Sequence, residues 1–155
     1  MMHRTWLWGK IGIFILLCGF IAVSGNNLFK VNSNTQHSMP VTITKSNAGE
    51  YKKYTNTPES IVLYFFASKI RNDEKWKDVL PPENKRSVRL SKTLKEYEDW
   101  EFVKITLLEK TEKENQTCWV KVFMEIKING KMESGKDDVT LSLLNNKWVI
   151  TSLPG

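Results

Sequence analysis

Histidine and cysteine are scarce, with two of each among 155 residues. Both histidines, His3 and His37, precede Thr57, so nothing after that point carries an imidazole for proton transfer near neutral pH. Cys18 and Cys118 are about 100 positions apart, which leaves no disulfide within the latter part of the chain. Cys118 reads as a small buried hydrophobe in a strand. Zinc-type Cys/His spacing, a glycine-rich phosphate loop, a Gly-x-Ser-x-Gly elbow and internal repeats are also missing. These absences predict no catalytic residue, no cofactor and no metal.

A concentrated stripe of positive charge is missing too. The formal charge is +6, and it stays at +4 without Arg4 and Lys10. The basic residues alternate with acids, as in Lys92, Lys95, Glu96, Glu98, Asp99 and Glu101. A nucleic-acid partner is therefore not expected. Mild attraction to anionic lipid head groups or wall polymers is the more economical consequence. With 26% charged and 41% hydrophobic residues, the composition is that of a globular chain and not a solvated polyelectrolyte.

One long apolar run is present. Arg4 and Lys10 precede Ile11 to Val23 (IGIFILLCGFIAV), which holds no charged residue. A positive segment followed by an apolar one predicts export. A spanning helix needs about 20 apolar residues and a signal h-region about 7 to 15. Trp6, Leu7 and Trp8 extend the run toward the first, while small residues at Ala22, Val23 and Ser24 favour cleavage before Gly25. Residues 1–25 thus read as a signal peptide or an N-terminal membrane anchor. Cys18 followed by Gly19 offers a lipoprotein reading as well, although Leu17 stands where a lipobox has a small residue. All three readings keep the positive charge inside and put the rest on the outer side of the membrane.

Residues 26–56 are rich in Asn, Ser, Thr and Lys with no sustained period, and read as a flexible polar linker. Val41 to Thr44 is long enough only for a short strand or a docking segment. The folded domain is expected over 57–155. Thr57, Pro58 and Glu59 supply a hydroxyl cap, a proline at the first helical position and an acid in the first turn. Ile61, Val62, Phe65, Phe66 and Ile70 then form an apolar helical face. A shorter helix holds Trp76, Val79 and Leu80 before Pro81 and Pro82, and a third runs from Ser91 through Leu94 to about Glu98.

From Trp100 the period becomes two. Val120, Val122, Met124, Ile126 and Ile128 alternate with Trp119, Lys121, Phe123, Glu125 and Lys127. Asn129 and Gly130 suit a type I′ hairpin turn, Lys131 to Leu144 returns, Asn145 and Asn146 turn again, and Lys147 to Leu153 closes the set. The fold class is α+β, with N-terminal helices packed on an antiparallel sheet and preceded by one N-terminal hydrophobic helix.

The helix TPESIVLYFFASKI, the hairpin WVKVFMEIKINGKMESGKDDVTLSLL and the ending NNKWVITSLPG carry a resemblance. Over about Thr57 to Leu153 the chain resembles the nuclear transport factor 2-like superfamily, the cystatin-like roll, and in particular its small bacterial extracytoplasmic members. The resemblance implies a curved sheet wrapped round the first helix, leaving a cone-shaped cavity. Enzymes of that superfamily place Asp, His or Tyr inside the cone. Here only Glu125, Glu133, Asp137 and Asp138 lie near the sheet, and alternation makes them solvent-facing charges. The adjacent Asp137 and Asp138 read as a loop or bulge.

Trp76, Trp100, Trp119 and Trp148 remain, and tryptophans of a small domain without disulfides are mostly core. Trp119 is the exception, being on the opposite parity to the aliphatics. The expected partner-contact face is therefore Trp119, Lys121, Phe123, Glu125 and Lys127, with Trp148 a neighbour across the hairpins. The expected role is an exported or membrane-anchored, non-catalytic binding or assembly module, acting through a protein partner or self-association. The resemblance extends to scaffold components of secretion and conjugation machines, which place such a domain after one membrane segment. The competing expectation is a small-molecule binder or enzyme using an apolar cone.

Overall fold

The computed structural model describes residues 39–155. The expected signal or anchor at 1–25 and the linker up to residue 38, with His37, lie outside the described residues. Within 39–155 no helix is long and apolar enough to cross a membrane.

The elements run β1 (Val41–Thr44), α1 (Pro58–Arg71), α2 (Val88–Glu96), β2 (Trp100–Lys113), β3 (Thr117–Ile128), β4 (Lys131–Leu144) and β5 (Lys147–Ser152). Three short 3-10 turns, at Ala48–Glu50, Glu74–Val79 and Glu83–Lys85, fill the connections. The strands form one open antiparallel sheet in the order β1-β2-β3-β4-β5, on which the helices pack. This is the expected α+β class.

Helix α1 starts as its sequence dictates. Thr57 is in extended conformation, its hydroxyl accepts from the Ser60 N–H, and Pro58 stands at N1, where its missing N–H is not needed. It ends at Asn72, whose φ of 57° closes the last turn. Pro58 through Ser68 are all buried, because α1 meets β1, β2, β3 and β5 and is flanked by the 3-10 turns. Phe65 and Phe66, both 0% exposed, lead its contribution to the core. Each such side chain contributes roughly 1.5–3 kcal/mol of transfer free energy.

The ordered body begins earlier than Thr57. β1 pairs with Leu107 to Lys104 of β2, Ile43 is fully buried, and the Thr42 and Thr106 hydroxyls bond across the pair at 3.0 Å. Arg71 reaches back from α1 to the carbonyls of Ala48 and Tyr51 while paired with Asp73. So 41–56 is not a free linker. Four residues are too few to show a period, and the partner strand supplies the order.

Three further expectations are corrected. The segment holding Trp76 and Val79 is a 3-10 turn, capped by Asp73 and stopped before Pro81. Asp137 and Asp138 lie in the unbroken pairing of β3 with β4 and form no loop or bulge. The third helix starts earlier than Ser91, with Ser87 as its cap.

Candidate functional site

The sheet has two chemically distinct faces. On the face toward the helices, Ile105, Leu107, Cys118, Val120, Val122, Val139, Leu141 and Ile150 are each 0% exposed. The other face of β3 carries Trp119, Lys121, Phe123, Glu125 and Lys127, the five residues that alternation brings together. Trp119 is 41% exposed and the other four are half-buried.

Each charge in that row has a cross-strand partner. Lys121 Nζ donates to Glu109 Oε1 at 2.6 Å, Lys104 Nζ lies 3.0 Å from Glu125, and Lys127 Nζ lies 3.4 Å from Glu101. Hydrogen bonding from Lys121 holds the Glu109 carboxyl below its usual range, and the same bond raises Lys121. Lys113 Nζ sits 4.5 Å above the Trp119 ring, a cation–π contact. The ion pairs are exposed, so they can exchange partners at little cost.

Trp148 is not part of this face. It pairs with Leu143, two positions from the Leu141–Ile150 pair, and its ring packs against the core. The two-residue turn at Asn145 and Asn146, both at positive φ, sets that register and turns Trp148 inward. The main-chain N–H of Trp148 donates to Asn56 Oδ1 at 2.9 Å. Trp76 and Trp100 also pack against the core, beside Phe65 and Tyr97 respectively.

The four carboxylates do not converge. Glu125 is paired to Lys104, Glu133 and Asp137 are exposed on the helix-facing parity of β4, and Asp138 lies on the outer parity opposite Lys121. Phe65, Phe66, Tyr97 and Phe102 fill the space between α1 and the sheet, with ring centroids 5.0 to 6.5 Å apart. The Tyr97 hydroxyl donates to the Pro154 carbonyl at 2.7 Å, and burial drives that phenol above its usual range. Lys69 lies 4.7 Å over Trp76, where burial lowers its ammonium.

The outer face also includes residues that sequence reasoning missed. Met132, 55% exposed, stands opposite Lys127, and Lys136 stands opposite Phe123. The Asn129–Gly130 turn was the available signal, since a two-residue hairpin fixes every pair along β3 and β4. The β2 partners were not available that way, because β2 shifts register between Phe102 and Lys104 and again between Leu107 and Glu109.

No protein-family model matches the chain, and no curated protein matches it. Among solved structures it is similar to the solution structure of a SEC-C motif containing protein from Rhodopseudomonas palustris. The two share 13% identity with a TM-score of 0.50, over 72% of this chain and 90% of that one. At that identity the likeness is one of fold alone.

Proposed function

We propose that the chain is a non-catalytic binding or assembly module on the outer side of a bacterial cytoplasmic membrane, built as a nuclear transport factor 2-like roll. Its N-terminal segment carries it across or holds it there, and a protein partner docks on the outer face of the sheet. The observation that carries this reading is Trp119, held 41% exposed within a row whose charges already have partners. An aromatic side chain kept in water offers large contact area at low entropic cost. Helices packed on a five-stranded antiparallel meander support the roll, and its finer shape would be a sheet curved round α1. The aromatic filling of the interior favours surface recognition over a ligand cone.

Two experiments test the reading. Intact-mass measurement on membrane and soluble fractions reports the N-terminus: the uncleaved mass in membranes is expected for an anchor, and loss of residues 1–24 for a released domain. Photo-crosslinking from position 119 in cells is expected to trap a partner, and the Trp119→Ser/Phe123→Ser double variant to lose it while staying folded. An intact partner interaction in that folded variant would overturn the proposed face.

A further inference from the structure

A groove of about 380 Å³ lies where the loop between α1 and α2 meets the β4–β5 turn. Lys77, Lys85, Arg86 and Lys147 line it, and no acidic residue is among its lining residues. Two of these cations are fixed by neutral groups. Arg86 Nε donates to the Pro81 carbonyl at 3.0 Å, and Lys147 Nζ to the Asp78 carbonyl at 3.2 Å. A main-chain carbonyl orients a cation without cancelling its charge, unlike the carboxylates that neutralise the outer face. Lys85 is exposed and has no ion pair with any described residue. Lys77 lies 5.5 Å over the Trp76 ring and its one ion pair among the described residues is with Glu74, whose side chain is 85% exposed, so that pair can open.

Apart from Asn145, the rest of the lining is apolar. Leu80 and Val149 are buried, 6% and 7% exposed, and Leu144 stands at 47% beside its pair partner Lys147. Oriented cations over an apolar floor match an amphiphile that carries phosphate next to hydrocarbon. The volume is near the low end of the roughly 300–1,000 Å³ of small-ligand sites, enough for a head group and its first methylenes but not for full acyl chains.

We propose that this groove seats the phosphate head group of an anionic phospholipid, with Lys85, Arg86, Lys147 and Lys77 around the phosphate and Leu144 against the first methylenes. The choice of a lipid over a free phosphate ester rests on the proposed membrane-side location.

Hydrogen exchange of the full chain in nanodiscs tests it. Phosphatidylglycerol at about one lipid in five, a strongly negative surface, is expected to slow exchange around residues 80–87 and 144–149, and pure phosphatidylcholine is not. Lys85→Glu is expected to raise the phosphatidylglycerol fraction for half-maximal protection at least about five-fold, since it removes one charge contact and sets a carboxylate against the phosphate. Leu144→Ser is expected to raise it by a smaller factor.

Equal protection in phosphatidylcholine, an unchanged Lys85→Glu response, or protection confined to 119–127 would overturn the groove as the site. Glycerol 3-phosphate reproducing the protection in phosphatidylcholine discs would overturn the lipid as its source. The intact-mass measurement judges the location separately, so failure there and failure here are told apart.

Discussion

On its inner face β3 carries Cys118, Val120 and Val122, each 0% exposed, while the alternating Trp119, Lys121 and Phe123 on its outer face keep contact with water. The same strand thus serves two physical regimes. Inside, side chains meet α1 and its aromatic cluster, and their burial is what holds the fold. Outside, each charge is satisfied by a neighbouring strand, as in the 2.6 Å Lys121–Glu109 bond. A face stabilised pair by pair can change without unfolding the domain, which leaves it free for recognition.

The sharpest way to break that comparison is to remove one aromatic ring from each regime. Phe66→Ala leaves a cavity at a fully buried position and is expected to cost about 3–5 kcal/mol. Phe123→Ala on the outer face is expected to cost less than about 1 kcal/mol. Urea unfolding followed by tryptophan fluorescence measures both, and comparable losses would mean the outer face is also part of the core.

A smaller effect sharpens the boundary between the regimes. Lys110 lies on the inner parity of β2 and reaches the first turn of α1, with its Nζ 2.7 Å from Glu59 Oε1. The Glu59 side chain is 8% exposed. Glu59→Gln keeps the shape and removes the charge, and is expected to cost about 1.5–3 kcal/mol, the range of a hydrogen bond to a charged group. The hydrogen bond to Glu59 raises the Lys110 ammonium above its usual value of 10.5. A raised folded value means that this contribution is complete below the usual lysine value and disappears as pH rises through the folded one. The difference between wild type and Glu59→Gln should therefore persist at neutral pH and shrink as pH rises into the alkaline range. If it shrank on acidification toward neutrality instead, another group would be responsible.

How much of this was legible depends on whether the signal was local. The cap of α1 at Thr57 and Pro58, the parity of β3 and the turns at Asn129–Gly130 and Asn145–Asn146 are written in neighbouring residues, and the structure has them. β1 was not legible as an element, because Val41 to Thr44 owes its order to a strand more than 60 positions later. Trp148 was misplaced for a different reason. Its neighbours were visible, but its side of the sheet follows from counting register through a turn, and one step changes the face. The groove cations Lys77, Lys85, Arg86 and Lys147 come from two distant segments, so no spacing pattern could gather them.

The smallest expected effect lies wholly on the outer face. Lys121 and Glu109 are exposed, at 41% and 59% of their side chains, and so are open to screening. Glu109 is held below its usual range, so its share is present above the ordinary carboxylate value and disappears as pH falls through the lowered one. Lys121 is raised, so its share disappears only as pH rises past the usual lysine range. Between these limits the pair is fully charged, yet at about 1 M salt the screening length falls to roughly 3 Å. Lys121→Gln should then leave the unfolding midpoint at high salt indistinguishable from wild type, while the deficit of Phe66→Ala survives. If Lys121→Gln stayed destabilising at high salt, the outer row would be held by packing as the inner one is, and Trp119 would be exposed beside a rigid wall instead of an exchangeable ion pair.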